Sequence, residues 1–316
     1  MEYRPEKIYQ AYLNNELNST VVIELLISLL EESENDQIRL ESIKILNNLG
    51  NLPEKTFKFL EHLFVSESNQ DIRLYAFKLV KRHFLYQSLS LIKWALQYES
   101  NIESLLEIID AIILMETKEI KTILAEEVRK ISTFTTIPSK TFNSRNLFRD
   151  DLRRMFKSRK IEEFTLKALS EIYINYRALC MLKKRFFNVQ YELKNARVVK
   201  LDLSDVEFEV RGWKSEFRNN IKNLFEIPEL FAFHSLESLD ISNNHLTCVK
   251  QLASLPCLSN VNLSNNNIYD MQNIKYFKQL PNLVHLDLQG NKIAQNIDPL
   301  KYDLVGIVKL KRISFI

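Results

Sequence analysis

Histidine, cysteine, serine and glycine are the residues that would carry chemistry in this chain of 316 residues, and their spacing favours none. The five histidines form no HxxxH or HExxH pattern of the kind that holds zinc. No serine stands in a Gly-x-Ser-x-Gly turn, and the four glycines are too far apart for a phosphate-binding loop. The many carboxylates are not distinguished by a motif. We therefore predict that the protein is not an enzyme and has no metal site and no cofactor.

The cysteines and the apolar runs predict a cytoplasmic protein. Three cysteines are too few, and odd in number, for a disulfide framework. Cys248 and Cys257 lack Cys-x-x-Cys spacing, so we expect them to pack as small side chains. The chain begins without a basic-then-apolar signal, and its longest apolar run is far shorter than the roughly 20 residues of a membrane-spanning helix.

Charge is unevenly distributed along the chain. Residues 130–200 hold 17 Lys and Arg against 6 Asp and Glu, a local balance of +11, whereas the whole chain carries only +3. A basic middle between acidic flanks indicates a local electrostatic patch and not a uniformly nucleic-acid-binding chain.

The first part of the chain contains an internal repeat with helical periodicity. The stretch 35–46 can be laid on 69–80, which places Arg39 and Arg73 34 residues apart, and a weaker third copy starts at Ser100. An amphipathic helical segment precedes each copy, and a fourth follows the last one. These segments cover about residues 20–31, 53–65, 86–98 and 118–130.

The opening Asp71-Ile-Arg73-Leu of the second copy resembles HEAT repeats, over about residues 20–130. A helix pair of this length cannot bury its apolar face alone, so neighbouring pairs must stack. The resemblance implies a ladder of Asp and Arg side chains between repeats. In the third copy Glu103 and Ser104 stand in those positions, so we expect the ladder to be interrupted there. An irregular helical bundle is the alternative.

A basic helix is predicted over residues 147–160. Within one sector of its helical wheel lie Arg149, Arg153, Lys157 and Lys160, next to an apolar sector that contains Phe148 and Leu152. This basic patch could contact nucleic-acid phosphates, an acidic membrane or an acidic protein, and binding to nucleic acid would also use the cluster 183–185. A solvated helix face is the alternative.

Between the helical repeats and the last part of the chain we predict a connecting region. Residues 131–146 have the composition of a linker, and a long helix over about 161–186 follows the basic helix. We expect that long helix to close the helical part and to cover the first strand of the next domain.

The last part of the chain repeats the frame LxxLxLxxNxL. The three clear copies start at Leu236, Leu258 and Leu283, which are 22 and 25 residues apart. The asparagine of the frame is Asn244, Asn266 or Asn291. Weaker copies start at Val198 and Val305, and residues about 209–232 between the first two copies are expected to form an enlarged convex segment or an insertion.

These copies resemble the leucine-rich repeat family. Alternation in a strand predicts that frame positions 4 and 6 point inward. An inward asparagine amide can both donate and accept, so it can satisfy backbone groups where the chain turns. We therefore expect the three asparagines to form a buried, structural ladder. The last strand would leave an exposed edge, which is a candidate for pairing.

The predicted fold class is an α plus α/β solenoid, an α-helical HEAT-like repeat domain followed by a short leucine-rich repeat domain. The predicted domains are residues 1–130, residues 131–190 with the linker, basic helix and capping helix, and residues 191–316. Outward positions 3 and 5 of the frame would face a partner, since leucine-rich repeats bind proteins on this concave face. The candidate partner-binding residues are Lys200, Asp202, Ser238, Asp240, Asn260, Asn262, His285 and Asp287.

The predicted function is a non-catalytic scaffold or adaptor for a protein partner. The alternative is a nucleic-acid-associated protein that uses the basic helix 147–160, and contact of that helix with an acidic membrane is a third possibility.

Overall fold

The structure is a computed structural model that divides the chain into two compact units, Met1–Ile123 and Leu124–Ile316. It describes residues 4–134, 147–187, 189–204, 206–210, 213–218, 221–298 and 308–309. None of the helices in these ranges is both long and apolar enough to cross a membrane. Most of the predicted linker 131–146 lies outside the described residues, although its first four residues are helical.

The predicted amphipathic segments of the N-terminal part are helical. Its helices are α1 (Pro5–Leu13), α2 (Ser19–Glu32), α3 (Asp36–Asn48), α4 (Thr56–Ser66), α5 (Gln70–His83), α6 (Leu89–Tyr98), α7 (Ile102–Met115) and α8 (Lys118–Phe134). Helix α2 packs on α3, α4 on α5 and α6 on α7, while α3, α5 and α7 pack in succession. The helices that carry the sequence repeat therefore share one layer.

The same residue type starts each helix of that layer. Asn35, Asn69 and Asn101 are the N-caps of α3, α5 and α7, and each side chain accepts a hydrogen bond from the first turn. Aligning the copies on these caps puts Leu105, and not Ser104, in the arginine position of the third copy. The arginine row therefore ends after Arg73, as the sequence predicted, but at a different residue.

The predicted ladder of Asp and Arg takes another form. Arg39 bonds Glu67, and Arg73 Nη2 lies 3.4 Å from Glu99 Oε1. Both glutamates are buried at the end of the first helix of the next pair, with 8% and 3% of their surface exposed. Within its own helix Asp36 contacts Arg39, and across the layer it accepts from the Asn69 amide at 2.9 Å. The ladder thus joins neighbouring helix pairs through glutamate.

The second unit combines helices with two sheets. Its further helices are α9 (Leu147–Ser158), α10 (Leu166–Arg185), α11 (Ile274–Phe277) and α12 (Ile293–Asn296). Its strands are β1 (Phe186–Phe187), β2 (Gln190–Lys194), β3 (Arg197–Asp202), β4 (Glu207–Val210), β5 (Trp213–Arg218), β6 (Ser238–Asp240), β7 (Asn260–Asn262), β8 (His285–Asp287) and β9 (Val308–Lys309).

The larger sheet has the order β2-β3-β6-β7-β8-β9. All of its pairs are parallel except β2 with β3. Leu239, Val261 and Leu286 lie opposite one another on adjacent strands, in the register that the frame predicts. The weaker copies are also in register, with Leu201 beside Leu239 and Val308 beside Leu286. Lys309 pairs with Asp287 in the same register, and the residues of the last copy before Val308 and after Lys309 lie outside the described part of the chain.

The antiparallel strand β2 was not predicted. It precedes the frame and joins β3 through Asn195 and Ala196, whose φ angles are 55° and 54°. Two successive residues with positive φ form the tight turn that suits a twisted hairpin. Alanine is uncommon in this conformation, so the sequence carried only a weak signal for the turn.

The insertion in the first copy is a hairpin of β4 and β5, which forms a second sheet in the order β1-β4-β5. The backbone N–H of Ile221 donates to Asn244 Oδ1 at 3.2 Å. Leu246 N–H gives the same bond to Asn266, one copy later. Ile221 therefore occupies frame position 11 of the first copy. The predicted insertion bounds, 209–232, were wrong, because the inserted hairpin lies between Val206 and Ile221.

Helix α10 packs against β3, the strand of the first copy, as predicted for the long helix. It starts at Leu166, because residues Ile161–Glu163 form a separate short 3-10 turn. Its buried Asn175 donates to the carbonyl of Ala232 at 2.9 Å and accepts from the amide of Val198 at 2.7 Å. A polar side chain on the apolar face of α10 thus joins this helix to the sheet.

A left-handed backbone position follows each of β6, β7 and β8. Asn243 and Asn265 have φ of 56°, and Gly290 has φ of 72°. The Asn265 amide donates to Asn243 Oδ1 at 2.9 Å, and a Cβ atom on Gly290 would lie 2.1 Å from Asn265 Oδ1. Asparagine also adopts this left-handed φ at positions 243 and 265, so glycine is favoured at position 290 mainly because a Cβ atom would meet Asn265.

Replacing Gly290 with alanine should lower the free energy of unfolding by about 1–3 kcal/mol. Chemical denaturation followed by circular dichroism measures this difference. Gly50→Ala is the matched control, because its added Cβ would have no atom within 4 Å. Equal stability of the two variants would contradict the close approach at Gly290.

The Glu67 carboxylate should make the stability of the helical part depend on pH. Burial acts to raise the pKa of Glu67, but hydrogen bonds from the Asn69 amide and Arg39 outweigh burial and hold this pKa below its ordinary value of 4.5. A lowered folded-state pKa contributes stability above the ordinary pKa, and this stability is lost as pH falls through the folded value.

Glu67→Gln should therefore cost about 1–3 kcal/mol at pH 7, and the cost should shrink as pH falls below about 4.5. Urea unfolding from pH 7 to pH 3 measures both effects. Glu24→Gln, which removes an exposed ion pair with Lys55, is the control. A cost for Glu67→Gln that does not change with pH would refute the assigned role of the charge.

Candidate interaction surface

Three buried asparagines fix the loops that leave the parallel strands. Asn266 Nδ2 donates to the carbonyls of Ile241 and Leu263, both at 3.0 Å, and its Oδ1 accepts from Leu246 N at 2.9 Å. Asn244 and Asn291 repeat this pattern. The predicted inward asparagine ladder is therefore confirmed. It holds the ends of β6, β7 and β8 at fixed positions.

The eight predicted partner-binding residues form two rows across β3, β6, β7 and β8. Frame position 3 contributes Lys200, Ser238, Asn260 and His285, which lie side by side in register. Frame position 5 contributes Asp202, Asp240, Asn262 and Asp287, again in register. Because the residue between the two rows is buried on every strand, both rows lie on the opposite, outward face of the sheet.

The position 5 side chains also have a structural role that was not predicted. Each of Asp202, Asp240, Asn262 and Asp287 accepts, through Oδ1, a hydrogen bond from the backbone N–H two residues later, at 2.8 to 3.1 Å. All four are half-buried. This local turn ends each strand and fixes the rotamer of the outward side chain. A charge reversal at these positions would therefore disturb the fold as well as the surface.

Serine hydroxyls and one amide extend this network. Ser204, Ser242 and Ser264 donate their hydroxyl hydrogens to the position 5 residue of their own copy, at 2.6 to 2.8 Å. Asn262 Nδ2 donates to Asp240 Oδ2 at 2.7 Å, from one strand to the next. The recurring Asp/Asn-x-Ser spacing was the sequence signal for the first set of bonds.

The position 3 row is more exposed. Lys200 and His285 are exposed, whereas Ser238 and Asn260 are half-buried. Lys200 Nζ lies 3.0 Å from Glu192, a residue of the unpredicted strand β2. The contact of Lys200 with Glu192 was not predicted, because nothing in the frame assigns a strand before the first copy.

The predicted basic patch is only partly assembled. Arg149 is half-buried beside Asp150, at 3.9 Å, and Arg153 Nε donates to the backbone carbonyl of Ser132 at 3.1 Å. Lys157 is exposed on α9. Lys160 is exposed but lies beyond the helix, which ends at Ser158, so the predicted bounds 147–160 were too long.

The apolar side of α9 and the adjoining basic cluster are built into the second unit. Phe148 and Leu152 are fully buried, as predicted. In the cluster 183–185, burial lowers the pKa of Lys183, whose Nζ lies 4.8 Å from the centre of the Tyr191 ring. Arg185 makes two bonds to Glu229, at 2.9 and 3.0 Å. Two of the three cations of this cluster thus serve packing.

The titratable groups of the described residues show no arrangement for metal binding, since no three His, Cys, Asp or Glu side chains there are placed to hold an ion. Burial raises the pKa of Tyr191 to about 12 and also raises that of the Cys180 thiol. Cys248 is half-buried, but Cys257 is exposed. The prediction that Cys257 is a packing residue was therefore wrong.

The in-register parallel strands and the asparagine ladder together present a regular, outward polar face. No family model matches the chain. Over 73 residues, which are 22% of the chain, it is 38% identical to a dynein axonemal assembly factor 1 homologue of Drosophila pseudoobscura pseudoobscura. The match spans about 5% of the length of that relative.

Removing one asparagine of the ladder should destabilise the sheet that carries the surface. Asn266→Ala should lower the free energy of unfolding by about 2–4 kcal/mol, because it leaves two carbonyls and one amide with fewer partners in a buried turn. The neighbouring Asn267→Ala is the control, since the Asn267 side chain is exposed and its one described polar contact is with His245, at 3.4 Å. Denaturant unfolding compares the two, and similar losses would argue against the ladder.

Proposed function

We propose that the protein is a non-catalytic interaction scaffold, in which a leucine-rich repeat array at residues 191–316 binds a protein partner on its concave face. HEAT-like helical repeats form the N-terminal part in this proposal, and the protein works in the cytoplasm. The observation that carries the proposal is the pair of outward rows on β3, β6, β7 and β8. The position 5 side chains are held by bonds to the backbone two residues later, so binding to them would require little ordering of the surface.

Two further observations support this proposal. The outward rows consist of short polar and charged side chains on a rigid sheet, which suits specific hydrogen bonding to a protein. The relative that matches part of the chain is named as an assembly factor, and an assembly factor is expected to hold other proteins.

The nucleic-acid alternative has less support than the scaffold. Of the four predicted cations, Arg153, Lys157 and Lys160 are exposed, but Arg149 is half-buried beside Asp150 and Arg153 Nε is bonded to a backbone carbonyl. A phosphate-binding surface would present its cations to solvent along one face. A fall in affinity with rising salt in a nucleic-acid shift assay would be needed to support the alternative.

Steric blocking of the outward face of the large sheet should abolish binding of the protein partner. The double variant Ser238→Trp/His285→Trp places bulky side chains on both sides of Asn260 in the position 3 row. We expect it to reduce recovery of bound proteins by about tenfold or more in quantitative affinity purification, since a central steric clash removes several contacts at once.

Lys250→Trp/Lys275→Trp is the matched control, because both lysines are exposed and lie outside the sheet strands. Melting curves should show that both double variants are folded. Retention of the same proteins by the face-blocking variant would place the interaction elsewhere on the chain.

A further inference from the structure

The outward rows on β3, β6, β7 and β8 are acidic once the ion pair of Lys200 is taken into account, and Lys309 of β9 lies in register with Asp287 at the end of the sheet. Among the two rows, Asp202, Asp240 and Asp287 are the anions, and Lys200 is the cation. Lys200 Nζ lies 3.0 Å from Glu192 on the adjacent strand, so its charge is balanced within the sheet. The strands β6, β7 and β8 contribute two aspartates and His285 to the rows, but no lysine or arginine.

The hydrogen-bond donors of this face are largely used within the sheet. The hydroxyls of Ser204, Ser242 and Ser264 donate to the position 5 side chains, at 2.6 to 2.8 Å. The Asn262 amide donates to Asp240 at 2.7 Å, and the Asn260 amide to Ser259 Oγ at 2.9 Å. Carboxylate and hydroxyl oxygens retain lone pairs, so most of the remaining bonding capacity of the face is for accepting.

A surface of anchored acceptors is complementary to a group with several donors and a positive charge. The guanidinium of arginine has five N–H donors in a rigid plane and pairs with carboxylates more specifically than an ammonium does. Phosphate groups would bring acceptors and negative charge to the same face, which is unfavourable on both counts. Charge complementarity therefore selects a cationic segment of a protein.

The spacing of the strands limits how that segment can bind. Neighbouring strands are about 4.8 Å apart, so Asp240 and Asp287, two strands apart, are separated by about 10 Å. In an extended segment of polyproline II type, which has three residues per turn and a rise of about 3.1 Å per residue, residues three positions apart lie on the same side and are about 9 Å apart. A segment that crosses the strands can thus place one arginine at each of these aspartates.

We propose that the outward face of β3, β6, β7 and β8 recognises an arginine-bearing, extended segment of a protein partner, with Asp202, Asp240 and Asp287 as its anionic contacts. This inference rests on the proposed function, because it assigns a partner chemistry to the same face. The Asx-type bonds of the aspartates orient their carboxylates before the partner arrives.

Three fluorescent 12-residue peptides test the inference with the full chain. They share a Gly/Ser background and carry, at every third position, arginine, glutamine or glutamate. Fluorescence anisotropy should show that the arginine peptide binds about tenfold or more tightly than the glutamine peptide at low salt, and that the difference shrinks as salt screens the charges.

Asp202→Asn/Asp287→Asn should weaken binding of the arginine peptide by about fivefold or more, because it removes two charges at the site. Asparagine keeps the Oδ1 acceptor used by Ser204 and Gln289, so the fold should be retained. Asp240 is left unchanged because its second oxygen accepts from Asn262. Glu119→Gln/Glu126→Gln, on exposed positions of α8, removes the same charge elsewhere and should leave binding unchanged.

The outcomes separate this inference from the proposed function. Equal weakening by the sheet variant and the α8 control, or preference for the glutamine or glutamate peptide, would overturn the arginine inference. If Ser238→Trp/His285→Trp still removed protein partners in that case, the proposed function would stand with another partner chemistry. If the face-blocking variant also kept its partners, both proposals would fail.

Discussion

The satisfaction of backbone groups where the chain turns out of each parallel strand is the constraint on which the second unit depends. A buried turn leaves carbonyls and amides without strand partners, and each unpaired group costs roughly 1–3 kcal/mol. Asn244, Asn266 and Asn291 meet this need because one amide donates to carbonyls of its own copy and the preceding one and accepts from a backbone amide. The strands can then be short, because the turns hold them in register.

The outward face follows from the same arrangement. Position 5 side chains end the strands by accepting from the backbone two residues later, and the serines of position 7 reinforce this bond. The residues that a partner would meet are therefore part of the local turn. Such a surface loses little side-chain entropy on binding, which is the physical basis for a scaffold that works by rigid display. It also means that a substitution at position 5 must be isosteric if it is to test binding alone.

In the helical part, buried polar groups between neighbouring helix pairs are satisfied by ion pairs. Arg39 and Arg73 bond to Glu67 and Glu99, which lie at the end of the first helix of the next pair. Both glutamates are buried and also accept from backbone amides. A buried carboxylate is tolerated only when it is paired and hydrogen-bonded. The third copy has Leu105 in place of an arginine, so the row of ion pairs ends there and apolar packing continues.

Local patterns in the sequence determined the helices, the register of the parallel strands and the buried asparagines, because periodicity and spacing repeat and each copy supports the others. The frame also placed all eight candidate contact residues in two rows. The tertiary structure decided the features that do not repeat. These are the β2 hairpin with Ala196 at positive φ, the resumption of the first copy at Ile221 after the inserted hairpin, and the glutamate partners of the arginines. These features join residues that are distant along the chain or have uncommon backbone angles, so no single-copy pattern could reveal them. The basic patch shows the same limit, because a helical wheel cannot show that Arg153 bonds Ser132 or that the helix ends before Lys160.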